Sequence, residues 1–282
     1  EGPEHLLTIA ETTGDDGEHL WTPSVDDIDF GTHGLRIQIS FNDNPVVVDR
    51  GAEPFSVPED SVDFYVNDRE TAGDEYTTAP GSNRSTGRLA SAPKPLPANL
   101  LRIYDLGPTH TVWVDTGEYP QFASLLLSGT VGVSDDEGFV MTGPGGEGHE
   151  ARLRPANPLE YGDWPILDLD DADLMTLSNL SLSRGLHGMR VHNNSTGLRT
   201  SGLALSTSAQ DGLYLDTTSA AVSLTDTRAS DNLGHGLYIR GTVETLDGGE
   251  INGNGERGIM LQATFESITG LTVHHNQGTG IW

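Results

Sequence analysis

The 282-residue chain has no cysteine, one lysine and no unbroken apolar run of the roughly 18 residues that a spanning helix needs. The first absence excludes disulfides and thiolate chemistry, and the third excludes a membrane-inserted helix. Basic charge is also scarce: 15 Lys and Arg stand against 42 Asp and Glu, for a net charge of -27 and a pI near 4.4. A polyanion would be repelled, so nucleic acid is not an expected partner. The cations are almost all arginine, as a GC-rich genome or adaptation to salt would produce, and an acidic, well-solvated surface suits an exported protein. No EF-hand spacing is present, so no cofactor is expected; calcium held by scattered carboxylates stays open without a motif. The chain begins at Glu1 rather than Met, so it reads as a processed or excised piece.

Long helical patterns are nearly absent as well. Glycine is abundant, at 35 residues, and short β-type runs are bounded by Gly, Asn and Asp. Residues 1–60 read as an N-terminal β segment or linker. Within it LRIQISF (35–41) alternates, with Leu35, Ile37, Ile39 and Phe41 on one face, and PVVVD (45–49) follows a turn-like NDN, which predicts a hairpin. Residues 61–282 read as a second, larger unit. DFYVND (63–68) is a strand, TTAPGSNRSTGRLASAPKP a loop and PLPANLLRIYDLG a short helix; HTVWVDTGEY is read as one further strand with Val112 and Val114 inward.

From Gly188 onward the chain repeats itself. The motifs GMRV, GLYL, GLYI, GIML and GIW begin at Gly188, Gly212, Gly236, Gly258 and Gly280, at spacings of 24, 24, 22 and 22. A period in the low twenties is one coil of a β-solenoid. Two inward ladders follow: Met189, Leu213, Leu237 and Ile259, then Val191, Leu215, Ile239 and Leu261. Each repeat glycine is expected at a tight corner with positive φ. Asn232, Asn254 and Asn276 each lie four positions before a repeat glycine and are expected to stack as a structural amide ladder. Residues 166–185 and 138–146 read as earlier, less regular coils, so the solenoid is expected to run from about residue 108 onward, with the clearest coils at 166–282.

The entry strand, the polar loop ending at a proline, the short helix and VWVDTGEY (112–119) together resemble right-handed parallel β-helix proteins of the pectate-lyase-like type. The predicted fold is therefore all-β: a right-handed single-stranded parallel β-helix with an N-terminal β segment and a short capping helix.

The outward positions of the repeat strands are Arg190 and His192, Tyr214 and Asp216, Tyr238 and Arg240, Met260 and Gln262, and Trp282. Tyrosine faces beside arginine suit sugar rings and uronate carboxylates, so Arg190, Tyr214, Asp216, Tyr238 and Arg240 are the substrate-binding candidates. Resemblance to the pectate-lyase-like proteins implies a polysaccharide on this face. A lyase or epimerase needs a base and a carboxylate neutraliser; Asp216 between Arg190 and Arg240 is the one catalytic candidate. The Asp-rich calcium cluster and the DPH motif of related enzymes are absent. His187, Asp211 and His235 read as polar corner residues rather than a metal ladder, and His274 and His275 are expected on opposite sides of a strand, unable to share a metal.

Two function classes follow. The first is a non-catalytic exported or cell-surface solenoid, part of an adhesin-like or envelope protein or a subunit stacked end to end in an extracellular assembly. The alternative is a polysaccharide lyase or epimerase acting on an acidic glycan, or a carbohydrate-binding module, through the repeat face.

Overall fold

The computed structural model describes residues 38–41, 44–50, 63–104, 106–129, 136–157, 159–262 and 265–282. The chain divides into two compact units, 1–61 and 62–282. In the first, Gln38–Phe41 and Asn44–Arg50 pair antiparallel as a hairpin, with Gln38 opposite Arg50. Leu35 and Ile37 lie outside the described residues.

In the second unit the chain winds through three parallel sheets, visiting each once per coil. The first sheet stacks Asp63–Val66, Thr111–Val114, Val140–Thr142, Thr176–Ser178, Leu198–Ser201, Ala220–Thr225, Thr242–Asp247 and Phe265–Thr269. The second stacks Gly117–Gln121, Ala151–Pro155, Leu180–Ser183, Ala204–Ser206, Arg228–Ser230, Glu250–Asn252 and Thr272–His274. The third stacks Leu125–Ser128, Leu167–Asp170, Met189–His192, Leu213–Leu215, Leu237–Ile239 and Ile259–Leu261. This is a parallel β-helix. The only helix among the described residues is Pro97–Leu101, which buries Leu100 and starts on Pro97, where a missing N–H costs nothing. It is far too short to cross a membrane.

The period predicted from the glycines is the coil register. Met189 pairs Leu213, Leu213 pairs Leu237, and Leu237 pairs Ile259. Their side chains, with Val191, Leu215 and Ile239, are fully buried inside the coil. An apolar ladder of this kind buries each side chain against the coils on both sides, which is what fixes register in a parallel sheet.

The repeat glycines have a different cause from the one expected. None of Gly188, Gly212, Gly236, Gly258 or Gly280 has positive φ. A Cβ on Gly188 would instead lie 2.7 Å from the carbonyl oxygen of Gly212, one on Gly212 2.6 Å from that of Gly236, and one on Gly236 2.7 Å from that of Gly258. Close approach of successive coils is the constraint. Left-handed corners are taken elsewhere, by Asn179, Thr207, Asp226, Asp231 and His275 among others.

The asparagines stack. Asn232 Nδ2 donates to Asn254 Oδ1 at 2.9 Å, and Asn254 Nδ2 donates to Asn276 Oδ1 at 2.8 Å. The Nδ2 of Asn232, Asn254 and Asn276 also reaches a carbonyl of the coil, on Leu205, Ala229 and Ile251 respectively. Asn232 and Asn254 are buried, and these bonds satisfy their amides where water cannot.

Two points of the entry region differ from expectation. VWVDTGEY is two strands in two sheets, with Asp115 and Thr116 forming the corner between them. The stack also starts before residue 108, because Asp63–Val66 already pairs in register with Thr111–Val114. The fully buried Asp115 explains both. Its carboxylate accepts the backbone N–H groups of Glu75, Tyr76, Thr77 and Thr116 and the Thr77 hydroxyl, all at 2.7–2.9 Å. It thereby folds the loop after the entry strand onto the first corner. Tyr119, also buried, donates to the Asp115 carbonyl at 2.8 Å. The one lysine is structural too: Lys94 is nearly buried and its Nζ donates to the Asn83 carbonyl at 3.1 Å.

Candidate functional site

The outward face of the third sheet places side chains from successive coils side by side. Asp168, Arg190, Tyr214, Tyr238 and Met260 form one column, paired strand to strand. His192 belongs to the neighbouring column, with Asp170 beside it. Asp216, Arg240 and Gln262 lie just past their strands' ends.

Arg190 is clamped by Asp168, a residue outside the set expected from the repeat motifs. Its Nε and Nη2 donate to the two carboxylate oxygens of Asp168 at 2.7 and 2.6 Å, a bidentate fork. The Asp168 hydrogen bond is the main reason the guanidinium is held above its usual pKa. His192 Nε2 lies 3.1 Å from the same Asp168 oxygen. The signal for Asp168 is present in the sequence: Leu167-Asp168-Leu169 precedes Met189-Arg190-Val191 by one coil.

Asp216 does not join the arginines. Thr218 N and Oγ1 each donate to its Oδ1 at 2.9 Å, and Asn193 N donates to its Oδ2 at 3.3 Å. Burial pushes its carboxyl up, but hydrogen bonds from Ser219, Thr218 and Asn193 outweigh this and hold it below the ordinary range. A carboxylate so stabilised is a turn cap and a poor proton acceptor. The predicted trio of Arg190, Asp216 and Arg240 is thus taken apart by better local partners. Arg240 Nη1 donates instead to the Tyr214 hydroxyl at 3.2 Å. Tyr214 and Tyr238 meet edge to face, with centroids 5.5 Å apart, and the Tyr238 hydroxyl reaches Gln262 at 3.5 Å.

At the corner before this sheet, His187, Asp211, His235 and Arg257 stack one per coil. The side chains of the first three each accept the backbone N–H of the next corner residue. Asp211 N donates to His187 Nδ1 at 3.4 Å, His235 N to Asp211 Oδ1 at 2.8 Å, and Arg257 N to His235 Nδ1 at 3.2 Å. An Nδ1 that accepts carries no proton, so both imidazoles are neutral. Burial, then Arg190, lowers the pKa of His187 to about 4; burial raises that of Asp211 to about 6. His187 packs on Tyr214 and His235 on Tyr238, with centroids 5.3 and 5.2 Å apart. The two rungs of tyrosine are thus backed by two of imidazole.

His274 and His275 correct a further expectation. His275 lies past the strand end at φ 53°, which swings its ring onto the same side as His274. Their Nδ1 atoms come within 2.5 Å, while His274 Nε2 lies 2.8 Å from Glu250.

Residues 165–282, the regular coils, match the family model described as NosD, periplasmic copper-binding protein. The match covers less than half of the chain. Searches of the curated proteins and of the solved structures each found no match. The fold and the family model agree on a parallel β-helix repeat protein.

The donors needed for copper are poorly provided. The chain has no cysteine. Met141, Met175 and Met189 are sealed in the core, and Met260 is nearly so. The Nδ1 atoms of His187 and His235 are used by backbone N–H groups, and His192 is held on Asp168. Among the described residues no three His, Cys, Asp or Glu side chains converge as a metal-holding group. His274 and His275 approach each other, but Glu250 takes the other nitrogen of His274, so no third donor joins them and the described residues do not fit a copper centre.

Proposed function

We propose that this protein is an exported, non-catalytic β-solenoid that presents the outward face of its third sheet as a flat recognition surface. One observation carries the reading: the charged side chains of that face are held by neighbours along the stack, with Arg240 Nε left without a hydrogen-bond partner. Asp168 holds Arg190 and His192, Tyr214 holds Arg240, and Asp216 caps its own turn. A catalytic base or nucleophile needs a poised, unsatisfied group near its reacting atom, and Asp216, the one candidate, is stabilised as a carboxylate. The periplasmic description of the matching family supports export. Incubation with polygalacturonate and alginate, followed by ultraviolet absorbance for unsaturated uronates and by end-group analysis for hydrolysis, tests the reading. No product is expected. Product formed by the native chain and lost in Asp216→Asn would replace it with the lyase reading.

The paired tyrosines favour a second role within the same scaffold, in which Tyr214 and Tyr238 offer ring edges and faces to a glycan beside Arg240. In that case Tyr214→Ala with Tyr238→Ala abolishes retention on immobilised acidic polysaccharide; unchanged retention removes the glycan from this face. Association of copies along the solenoid axis belongs to the same proposal, and sedimentation over a range of concentrations tests it.

A further inference from the structure

The coils are not all the same length. Leu125, Leu167 and Met189 occupy one ladder, yet the chain between the first two is nearly twice as long as the chain between the second two. Part of the excess lies between Pro155 and Leu167, a connection twice as long as the corresponding one between Ser183 and Met189. Insertions in a solenoid add nothing to the repeating core, and they concentrate where the protein meets other molecules.

This insertion builds a groove. Phe122, at the corner beneath it, is 82 % exposed, and Tyr161 above is 44 % exposed. Trp164 packs its inner side against the core, and the three rings line a groove of about 240 Å³ with Glu160 and Asp163. The insertion is tied down. Gly162 N donates to the Arg184 carbonyl at 2.8 Å, and the Arg184 guanidinium lies 5.5 Å from the Tyr161 ring centroid. A Cβ on Gly162 would lie 3.4 Å from the Trp164 ring and 3.3 Å from Pro155, so the insertion folds closely over both.

We propose that the groove formed by Phe122, Tyr161 and Trp164 binds a sugar ring of an uncharged glycan. Aromatic rings held open to solvent offer flat apolar surface to the C–H face of a pyranose. Carboxylates at the rim accept hydrogen bonds from its hydroxyl groups, and charge-assisted bonds of this kind are the stronger ones. The charge decides the class of sugar: the two charged groups lining the groove, Glu160 and Asp163, are acidic and outnumber the Arg184 guanidinium held against Tyr161, and the chain carries a net -27. A uronate or sulfated sugar is repelled here, in contrast to the third-sheet face with its arginines. The site is separate from that face, so it stands whether or not the tyrosine face binds anything.

Calorimetric titration of the full chain with cellohexaose, chitohexaose and mannohexaose, and with hexagalacturonate as the anionic counterpart, tests this. At least one neutral hexasaccharide binds and hexagalacturonate does not. Phe122→Ala, at an exposed position that leaves the melting transition unchanged, weakens binding about tenfold, the usual effect of removing an aromatic anchor. Phe122→Trp retains binding, and Tyr214→Ala leaves it intact. No binding by any of the three, binding undiminished in Phe122→Ala, or loss in Tyr214→Ala instead would overturn the proposal.

Discussion

The regular coils from Leu167 onward and the irregular turns before them solve the same problem differently. In the regular part most coils repeat their neighbour's answer: an apolar pair pointing in throughout, a glycine where coils touch and a polar corner residue accepting the next N–H from Gly188 and His187 onward, and an asparagine passing its amide along from Asn232 onward. Stability there is a sum of nearly identical interfaces. Between Asp63 and Trp164 the strands still stack in register, and the chain adds single devices to the ladders. Asp115 ties down the loop after the entry strand, Lys94 braces the same loop from within, and the insertion bearing Tyr161 is held to the next coil by Arg184. Repetition gives a scaffold, and the departures from it hold the features that differ from coil to coil.

The difference can be broken most sharply at Asp115. Asp115→Ala leaves the N–H groups of Glu75, Tyr76, Thr77 and Thr116 without their acceptor, a loss of about 4 kcal/mol by analogy with other uncompensated buried polar groups. Chemical denaturation should show it, and limited proteolysis should cut first within residues 67–96 while the regular coils stay intact. In the regular part the matching change is Gly212→Ala. Its new Cβ would meet the Gly236 carbonyl at 2.6 Å and Asn232 Nδ2 at 3.0 Å, neither able to move without disturbing the stack. A cost of about 3 kcal/mol is expected, as for other overpacked cores. Gly107→Ala, with nothing within 4 Å, should be close to neutral.

A smaller effect comes from pH. The folded pKa of His187 is lowered to about 4, below its unfolded value, so stability is full above the unfolded pKa and is lost as pH falls toward 4. Asp211, raised to about 6, acts oppositely: the native state takes up its proton first, and stability is gained as pH falls below 6. The two nearly cancel between pH 6 and 4. Asp211→Asn keeps an oxygen for the His235 N–H and removes the compensation. Its stability should fall by about 2 kcal/mol more than that of the native chain over that range, read from denaturation midpoints at several pH values. Parallel curves for the two proteins would mean that the folded state does not take up the Asp211 proton ahead of the unfolded chain, and so that this carboxyl is not raised by burial as described.

What is legible in the sequence follows the same division. The ladders through Met189, Leu213, Leu237 and Ile259 can be read because every coil restates them, and an error of one position in one coil is visible against the next. The period also places the outward column correctly, yet it does not give the chemistry. Outward direction alone sets Arg190 beside Asp216, whereas Asp168, one coil earlier, has the nearer and better-shaped carboxylate. The glycines stand out by their spacing but not by their cause, since close approach to a neighbouring carbonyl leaves no mark in a single coil. His275 escapes because its left-handed backbone ends the alternation on which sides of a strand are counted. Asp115 and the groove at Phe122 are not legible at all: their partners lie far along the chain, in segments with no repeat to align them.

The most direct test of the account is the register of the coils, and the absence of cysteine makes it clean. Ser206 and Ser230 are half-exposed partners in the second sheet, and Ser183 is the partner of Ser206 on its other side. In-register neighbours stand about 4.8 Å apart, within disulfide reach, and strands two coils apart about twice that, beyond it. Mild oxidation of the double variant Ser206→Cys, Ser230→Cys should close an intramolecular disulfide, while Ser183→Cys, Ser230→Cys should stay reduced. Closure of the second pair, or failure of the first in a folded chain, would contradict the β-helix register on which every site described rests.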